Sequence, residues 1–326
     1  MRFGKLTAEE LQRTVLDKLE TTRAETVLSA AQGEDCAALK TDGDYFLLSS
    51  DPITASVPPS ALGALAVSVC CNDIVSCGGE PVAMLFTVIV PPGSDIFVIE
   101  SIMSSAQQKA KELHVDIVGG HTEFSDCVTR PIVSATAVGK TSRLMTKSSL
   151  RRGDKLYVTK SLGMEGTTII ADGGTETLTE TEKDECERYR RGLDVDREGE
   201  ILRSCRSVGV MHDITEGGVI GAIAEICLGA GLGANIYESK MPVGKLTAKL
   251  CEKYGIDPLR LISSGSMLFS ASDSTAVELL AAAGIKACEV GEVTDGKVLL
   301  FRCDGTSESV CPEPDMIYKY FERCIR

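Results

Sequence analysis

Hydrophobic residues in the first half of the chain form two kinds of pattern, short continuous runs and longer repeats with helical spacing. Four short runs predict buried strands, at residues 45–48, 82–90, 115–118 and 131–138. The repeats predict an almost wholly apolar helix over residues 60–77 and an amphipathic helix over residues 99–113. Thr7 and Glu10 have capping-box spacing and predict a first helix. Strands and helices therefore alternate, which indicates an α/β or α+β fold.

The second half of the chain repeats this alternation. Its hydrophobic runs predict strands at residues 155–159, 267–270, 287–293 and 298–302. Helices are predicted through residues 164–170, 218–228 and 276–283. Near the end of the chain, Ile317, Tyr318 and Phe321 have helical spacing, with Tyr320 alongside, so the tail is predicted to pack as a helix.

A polar and basic stretch, residues 140–152, separates the two halves and is closed by the turn pair Gly153-Asp154. Exposed polar segments of this kind are typical domain boundaries. We therefore expect an N-terminal domain over residues 1–145 and a C-terminal domain over residues 146–326.

Charge narrows the range of partners. Lys and Arg total 34 and Asp and Glu total 47 among the 326 residues, a formal net charge of −13. Such a surface repels nucleic-acid phosphates and anionic lipid, so we expect neither as a partner. No apolar run approaches the roughly 20 residues of a membrane-spanning helix. The first five residues lack the apolar segment of a secretory signal, and no membrane association is expected.

The cysteines favour a reducing compartment. There are 13 of them, an odd number scattered through apolar segments with no C-x-x-C pair, and only 3 histidines to complete a zinc site. Buried free thiols in the cytoplasm are therefore expected, rather than disulfides or structural zinc.

Acidic residues recur where a strand ends or glycines gather, and they are Asp35, Asp51, Asp73, Glu123 and Asp213. A single such residue usually forms a turn or a cap. Several carboxylates converging on one site would repel each other unless cations neutralised them, and Mg²⁺ bridging a polyphosphate is the common solution. The backbone N–H groups of Gly119 and Gly120 could form an anion cradle beside them. Asp73 is the most suggestive case, because its predicted helix is otherwise apolar.

Five motifs resemble the aminoimidazole ribonucleotide (AIR) synthetase superfamily, and they occur in the order seen in that superfamily. They are Gly33-Glu34-Asp35-Cys36-Ala37, Ser50-Asp51-Pro52, Asn72-Asp73-Ile74, Gly119-Gly120-His121-Thr122-Glu123 and His212-Asp213-Ile214-Thr215-Glu216-Gly217-Gly218. The superfamily includes thiamine-monophosphate kinase, selenophosphate synthetase and the hydrogenase maturation protein HypE.

The resemblance implies a PurM-like fold, in which the N-terminal sheet pairs with that of a second subunit and ATP with Mg²⁺ binds between two domains. By position, Asp35, Asp51 and Asp73 would hold metal and triphosphate, with Asn72 beside them. The phosphate loop would consist of Gly119, Gly120, His121, Thr122 and Glu123. Asp213 and Gly217 would contribute from the second domain. His121, His212 and Asp213 are the candidate acid-base groups, and a structural role is an equal alternative for both histidines.

Among superfamily members, the His-Asp-x-Thr-x-Gly-Gly pattern of residues 212–218 is most similar to HypE and HypE-like proteins. Thiamine-monophosphate kinases have an acidic residue where this chain has His121, and no cysteine precedes Gly33 as selenophosphate synthetase requires. HypE ends in a cysteine whose carboxamide is dehydrated by ATP. In this chain Ile325 and Arg326 follow Cys324, and a packed helical tail predicts that Cys324 does not carry the reacting group.

We therefore expect an ATP- and Mg²⁺-dependent enzyme that activates an amide or carbonyl oxygen by phosphoryl transfer, acting as a homodimer on a small-molecule or protein-thiol substrate. Two alternatives remain open. One is an ATP-binding maturation or regulatory partner without chemistry of its own, and the other is a genuine AIR synthetase-type cyclo-ligase.

Overall fold

A computed structural model of the protein describes residues 4–54 and 57–324. Its first half contains three helices and six strands: α1 (Ala8–Thr14), β1 (Thr26–Leu28), β2 (Ala37–Lys40), β3 (Tyr45–Ile53), α2 (Pro59–Ser76), β4 (Glu80–Val90), α3 (Ile96–Glu112), β5 (Asp116–Phe124) and β6 (Ile132–Thr141). The capping box of α1 is confirmed, because the Thr7 hydroxyl accepts from the Glu10 backbone N–H and the Glu10 carboxylate accepts from the Thr7 backbone N–H.

The N-terminal strands form one sheet in the order β1-β2-β3-β6-β4-β5, in which only β4 and β5 are parallel. Alternate residues of each strand face α2 and α3, and among them Leu47, Met84 and Phe86 are buried. Phe46 and Leu85 point to the opposite face and are 46% and 45% exposed. No helix of the described chain packs on that face, which we call the open face.

Helix α2 is the centre of the N-terminal half. Its 18 residues are mostly apolar and could cross a membrane by length and composition, but most of them are buried inside the protein. It is therefore the core helix of a globular domain, and the predicted helix over residues 60–77 is confirmed.

Two predictions of local structure are wrong. The strand predicted over residues 45–48 is too short, since β3 continues through Pro52 and pairs with β6 as far as Ile53. Beyond Leu48, β3 has a neighbour on one side only, and a strand edge tolerates a residue that lacks an N–H group. Residues 119–123 are not a loop either, because they continue β5 in register with β4.

The second half contains seven helices and seven strands within its described residues: β7 (Lys155–Thr159), α4 (Met164–Asp172), α5 (Glu180–Arg191), α6 (Asp196–Ser204), β8 (Val208–Asp213), α7 (Gly218–Gly229), β9 (Gly233–Tyr237), α8 (Lys245–Tyr254), β10 (Met267–Ala271), α9 (Thr275–Ala282), β11 (Ala287–Thr294), β12 (Val298–Phe301), β13 (Ser307–Ser309) and α10 (Ile317–Cys324). Its sheet has the order β13-β12-β9-β11-β7-β10-β8. The predicted α/β fold with two sheets is confirmed.

The predicted packed tail is present as α10, whose Ile317 and Tyr320 are buried. Asp315 fixes the start of this helix, because its carboxylate accepts from the backbone N–H groups of Ile317 and Gly217, each at 2.7 Å. Burial raises the pKa of Asp315 to about 7 despite these two hydrogen bonds. The tail is therefore joined to the turn that precedes α7.

The two halves meet along α2. The Asn72 side chain donates to the Leu193 carbonyl at 2.8 Å and accepts from the Val195 N–H at 3.1 Å. Helix α6 approaches so closely that a Cβ on Gly199 would lie 2.0 Å from the Val75 side chain. Side chains on this part of α2 are therefore placed at the junction of the two sheets.

Candidate active site

Acidic side chains from both halves converge at this junction. Asp51 lies on β3 and Asp73 on α2, while Asp35 precedes β2 and Asp213 ends β8. We call these four residues the carboxylate cluster. Residues 47, 49 and 51 share the face of β3 that packs on α2, which is why Ser49 and Asp51 both reach Asp73.

Asp73 is the most constrained member of the cluster. Its carboxylate accepts a hydrogen bond from the Ser49 hydroxyl and contacts the Asp51 carboxyl group. Burial raises the pKa of Asp73 well above its usual range, and the negative charges of Asp213, Asp51 and Asp35 add to this shift. The site therefore favours a proton or a cation at this position.

Asp213 contributes a carboxylate oxygen with no partner. Its Oδ1 lies 3.5 Å from the Ser76 hydroxyl, whereas the buried Oδ2 has no hydrogen-bond partner among the described residues. Burial and the charge of Asp35 raise the pKa of Asp213 to about 7. An unsatisfied buried acceptor is unfavourable in an empty site and becomes useful when a cation or a proton arrives.

His212 is held between two carboxylates. Its Nδ1 lies 2.7 Å from Asp35, and its Nε2 lies 3.4 Å from Glu225 on α7. Burial alone would lower the pKa of His212, but the charge of Asp35 and the hydrogen bonds to both carboxylates raise it well above its usual range. The imidazole is therefore a charged, fixed group, which favours the structural alternative for this histidine over a role as general base.

Lys5 and Glu225 belong to the site but were not predicted from the sequence. Burial would lower the pKa of Lys5, yet Glu225, Glu216, Asp51 and Asp73 together raise it, so its ammonium group faces the carboxylate cluster. A single lysine near the start of a chain forms no sequence pattern that would indicate a functional site. Glu225 did carry a signal, because it is a charged residue inside an apolar helix, as Asp73 is.

Asn72 and Gly217 contribute to the structure around the site. The amide nitrogen and the amide oxygen of Asn72 each form a hydrogen bond with the backbone of residues 193–195, so the structure gives it a positioning role. Gly217 has φ of +91°, a left-handed conformation that favours glycine, and it caps α7 just after Asp213. Direct contact of either residue with a nucleotide stays a prediction.

Residues 119–123 lie apart from the cluster within one chain. The register aligns Asp51 with Ala135, Phe86 and Gly120 across four neighbouring strands. Three strand spacings, roughly 14 Å, therefore separate Asp51 from Gly120. His121 and Glu123 pair at 3.4 Å and are exposed on the edge strand. A role for Gly119, Gly120, His121, Thr122 and Glu123 in phosphate binding stays a prediction.

The donor set of the cluster fits a hard divalent cation. No three His, Cys, Asp or Glu side chains of residues 4–54 and 57–324 close around one point as a metal site. Mg²⁺ in phosphoryl-transfer sites needs no such cage, because one or two carboxylates, waters and substrate phosphates hold it. The unpartnered Asp213 oxygen and the Asp51–Asp73 contact are the places where such a cation would be stabilised.

The family of the chain follows from its two halves. Residues 33–141 match the N-terminal domain of AIR synthase related proteins, and residues 151–303 match their C-terminal domain. The chain therefore belongs to the AIR synthase related family.

Relatives and solved structures identify the part of the family that it resembles. Carbamoyl dehydratase HypE of Rhodobacter capsulatus is 27% identical over 267 residues, which cover 78% of this chain and 77% of that protein. A HypE–HypF complex matches with a TM-score of 0.76 at 23% identity, covering 93% of this chain and 99% of the other. A ThiL structure complexed with AMPPCP and TMP matches with a TM-score of 0.75 at 21% identity, covering 94% and 96%. The predicted resemblance to the HypE branch is confirmed.

The raised pKa values predict that the metal-free protein loses stability as pH rises from about 5 to about 7. Asp73 and Asp213 keep their protons in the folded chain and lose them in the unfolded chain, so the folded state binds more protons across this range. His212, whose folded pKa is also raised, acts in the same direction above about 6.5. Urea unfolding in EDTA at several pH values measures this dependence.

Asp213→Asn is expected to flatten this pH dependence, and the exposed control Asp42→Asn is expected to leave it unchanged. Mg²⁺ is expected to stabilise the wild-type protein more at pH 8 than at pH 6, because it competes with protons for the same carboxylates. A stability that rises between pH 5 and 7 in EDTA would contradict the assignment.

Proposed function

We propose that this protein is an ATP- and Mg²⁺-dependent enzyme that transfers a phosphoryl group to an amide or carbonyl oxygen, in the manner of a carbamoyl dehydratase. The observation that carries the proposal is the carboxylate cluster, in which four acidic residues from both halves interact and one of them, Asp213, has a buried oxygen without a hydrogen-bond partner among the described residues. Carboxylates so arranged require cations, and metal-bound polyphosphate supplies them.

Solved structures of similar proteins support ATP as the nucleotide. A HypE structure in complex with ATP matches this chain with a TM-score of 0.73 at 22% identity, and the ThiL structure contains AMPPCP. The two-sheet fold that these proteins share with this chain places the carboxylate cluster between the halves. We propose ATP as the phosphoryl donor on this basis.

Asp35, Asp51 and Asp73 are the residues that would hold Mg²⁺. Bound Mg²⁺ would neutralise the charge of the triphosphate and of the developing transition state. The Ser49 hydroxyl orients Asp73, and His212 holds Asp35 in place through its 2.7 Å contact. The chain therefore supplies a set of carboxylates whose directions are fixed before a ligand binds.

The reaction we propose has two steps. The amide oxygen attacks the γ-phosphorus, the bond to the bridging oxygen of ADP breaks, and the amide nitrogen loses one proton. The C–O bond then breaks, so that the former amide oxygen departs as part of inorganic phosphate, and the nitrogen loses its second proton, which gives a nitrile. Asp213 is our candidate to accept a proton, because its Oδ2 is unpartnered and its pKa of about 7 lies in the range that suits a general base.

A second candidate is an ATP-binding maturation partner without chemistry of its own. The HypE–HypF complex supports a maturation protein as a partner of a similar protein. An AIR synthetase-type cyclo-ligase is the remaining alternative. Phosphate release by the purified chain, measured with carbamoyl donors, with AIR synthetase substrates and with neither, distinguishes these three functions.

Asp73→Asn is expected to abolish phosphate release and to remove most of the thermal stabilisation by Mg²⁺-ATP. The variant loses a carboxylate from the cluster and therefore the charge that attracts Mg²⁺. Because a ligand stabilises a protein by binding its native state, weaker binding gives a smaller rise in melting temperature. Thermal unfolding with and without Mg²⁺-ATP measures the shift. The exposed control Asp42→Asn should behave as the wild type, and an unchanged shift in Asp73→Asn would remove this residue from the site.

Cys324 decides whether the acceptor is the chain's own tail. Cys324 is the last residue of α10, and the helix is joined to the body of the protein through Ile317, Tyr320 and Asp315. Moving the tail to the carboxylate cluster would require loss of those contacts. We therefore expect Cys324→Ser to retain ATP turnover on the true substrate. Mass spectrometry after incubation with a carbamoyl donor and ATP tests this, and a cyano adduct on Cys324 would contradict it.

We also propose that the open face of the N-terminal sheet forms a homodimer interface. Phe46 and Leu85 expose apolar surface there, and Val118 on the edge strand is 63% exposed. Exposed apolar side chains on an uncovered sheet face are typical of subunit interfaces, and a second copy offers the same surface with two-fold symmetry.

Leu85→Glu is expected to give a monomer, because it places a charge in the centre of this interface. The control is Leu279→Glu on α9, which changes a leucine of similar exposure, 44%, in the other half of the chain. Light scattering at micromolar protein measures the mass. A monomeric wild type, or a dimer that survives Leu85→Glu, would argue against an interface on the open face.

A further inference from the structure

Residues 4 and 5, at the start of the described chain, pack against residues of the C-terminal half close to the carboxylate cluster. The Lys5 backbone N–H donates to Glu216 Oε1 at 3.3 Å, and the Tyr318 hydroxyl donates to the same oxygen at 3.0 Å. A Cβ on Gly4 would lie 2.7 Å from Glu216 Oε1 and 2.8 Å from the Tyr318 ring, and Gly4 has φ of +84°. Glycine is therefore required for this close approach.

The segment that follows Lys5 is attached to the N-terminal half of the chain. The Ala8 carbonyl accepts a hydrogen bond at 2.7 Å from Gln32, a residue of the loop that leads to Asp35. The capping box of α1 fixes the backbone between these two attachments. The backbone of Lys5 is thus held between the turn that precedes α7 and the loop that leads to Asp35.

The Lys5 ammonium group interacts electrostatically with carboxylates that belong to four different parts of the structure. They are Asp51 on β3, Asp73 on α2, Glu216 before α7 and Glu225 on α7, and Asp213 at the end of β8 also interacts with it. The residue is nevertheless solvent-accessible. No carboxylate of the described residues lies within salt-bridge distance of its Nζ. The ammonium group is therefore positioned at the cluster without a fixed partner.

Among the described residues, two other cations near the cluster, His212 and Lys147, already have fixed partners. His212 contacts Asp35 and Glu225, and Lys147 donates to the Gln32 carbonyl and lies 3.6 Å from Glu34. Lys5 differs from both in that its side chain remains accessible to a ligand.

We infer that Lys5 binds the terminal phosphates of the nucleotide at the carboxylate cluster. This inference rests on the proposed function, because it names a further residue of the same site. Polyphosphate brings negative charge to a site that already holds four carboxylates, and metal ions offset part of this repulsion. A lysine ammonium supplies a compact positive charge with three donors, which suits phosphate oxygens. The close packing of Gly4 against Glu216 and Tyr318 fixes the position of the Lys5 backbone.

Binding of Mg²⁺-ATP and Mg²⁺-free AMP to the purified full chain tests the inference by calorimetry. Lys5→Gln should weaken ATP binding by about tenfold or more and leave AMP binding within about twofold, because only ATP has the terminal phosphates. Lys5→Arg, which keeps the charge, should recover most of the ATP affinity. Lys18→Gln is the matched control, because Lys18 is an exposed lysine of the same N-terminal segment.

Each other outcome overturns the inference. If Lys5→Gln binds ATP as the wild type does, Lys5 contacts no phosphate, and the proposed function stands without it. If ATP and AMP lose affinity equally, or if Lys5→Arg recovers nothing while all variants keep their melting temperature, the residue shapes the site without binding the terminal phosphates. If the wild type itself binds no Mg²⁺-ATP, the proposed function fails and the inference fails with it.

Discussion

Both halves of the chain pack against helix α2. Asp73 on this helix is therefore buried and poorly solvated by bulk water. Its carboxyl group contacts that of Asp51. Two like charges about 4 Å apart repel by about 4 kcal/mol at an effective dielectric constant of about 20. That is a large part of the roughly 5–15 kcal/mol by which a typical domain is stable. The folded chain must therefore hold protons or cations at this position, and the rest of the site follows from that requirement.

The chain meets this requirement differently at the two ends of the cluster. At the Asp35 end, a charged His212 lies between two carboxylates, so a permanent contact offsets part of the negative charge. At the Asp73 end, the balance comes from bound protons and from Lys5, neither of which is fixed by an ion pair. The second end is therefore the one at which a ligand can replace what is already there. This asymmetry makes the Asp51 and Asp73 side the natural place for a metal-bound phosphate.

Much of this arrangement could be predicted from the sequence, because helical and strand periodicity report which faces are buried. The α2 helix and the packed tail were predicted in this way, whereas the acidic residues were singled out by their positions at strand ends and beside glycines and by the family resemblance. The strand at residues 119–123 was not, since those residues are extended only because β4 pairs with them, and a Cβ at Gly120 would lie 1.7 Å from the Phe86 carbonyl oxygen. Lys5 was missed for a related reason. Its partners are more than forty residues away, and no local pattern records them.

The turn between β8 and α7 connects the site to both ends of the chain. Asp213 lies at the start of this turn, Glu216 receives the backbone of Lys5, and Gly217 donates to Asp315 at the start of α10. A ligand that draws Asp213 towards a metal ion acts on the same short segment that holds the N-terminal lysine and the C-terminal helix. Because the turn contains two glycines with positive φ, Gly217 and Gly218, its backbone conformation is one that other residues rarely adopt. The position of Asp213 and the attachment of Lys5 and of α10 therefore depend on a single turn.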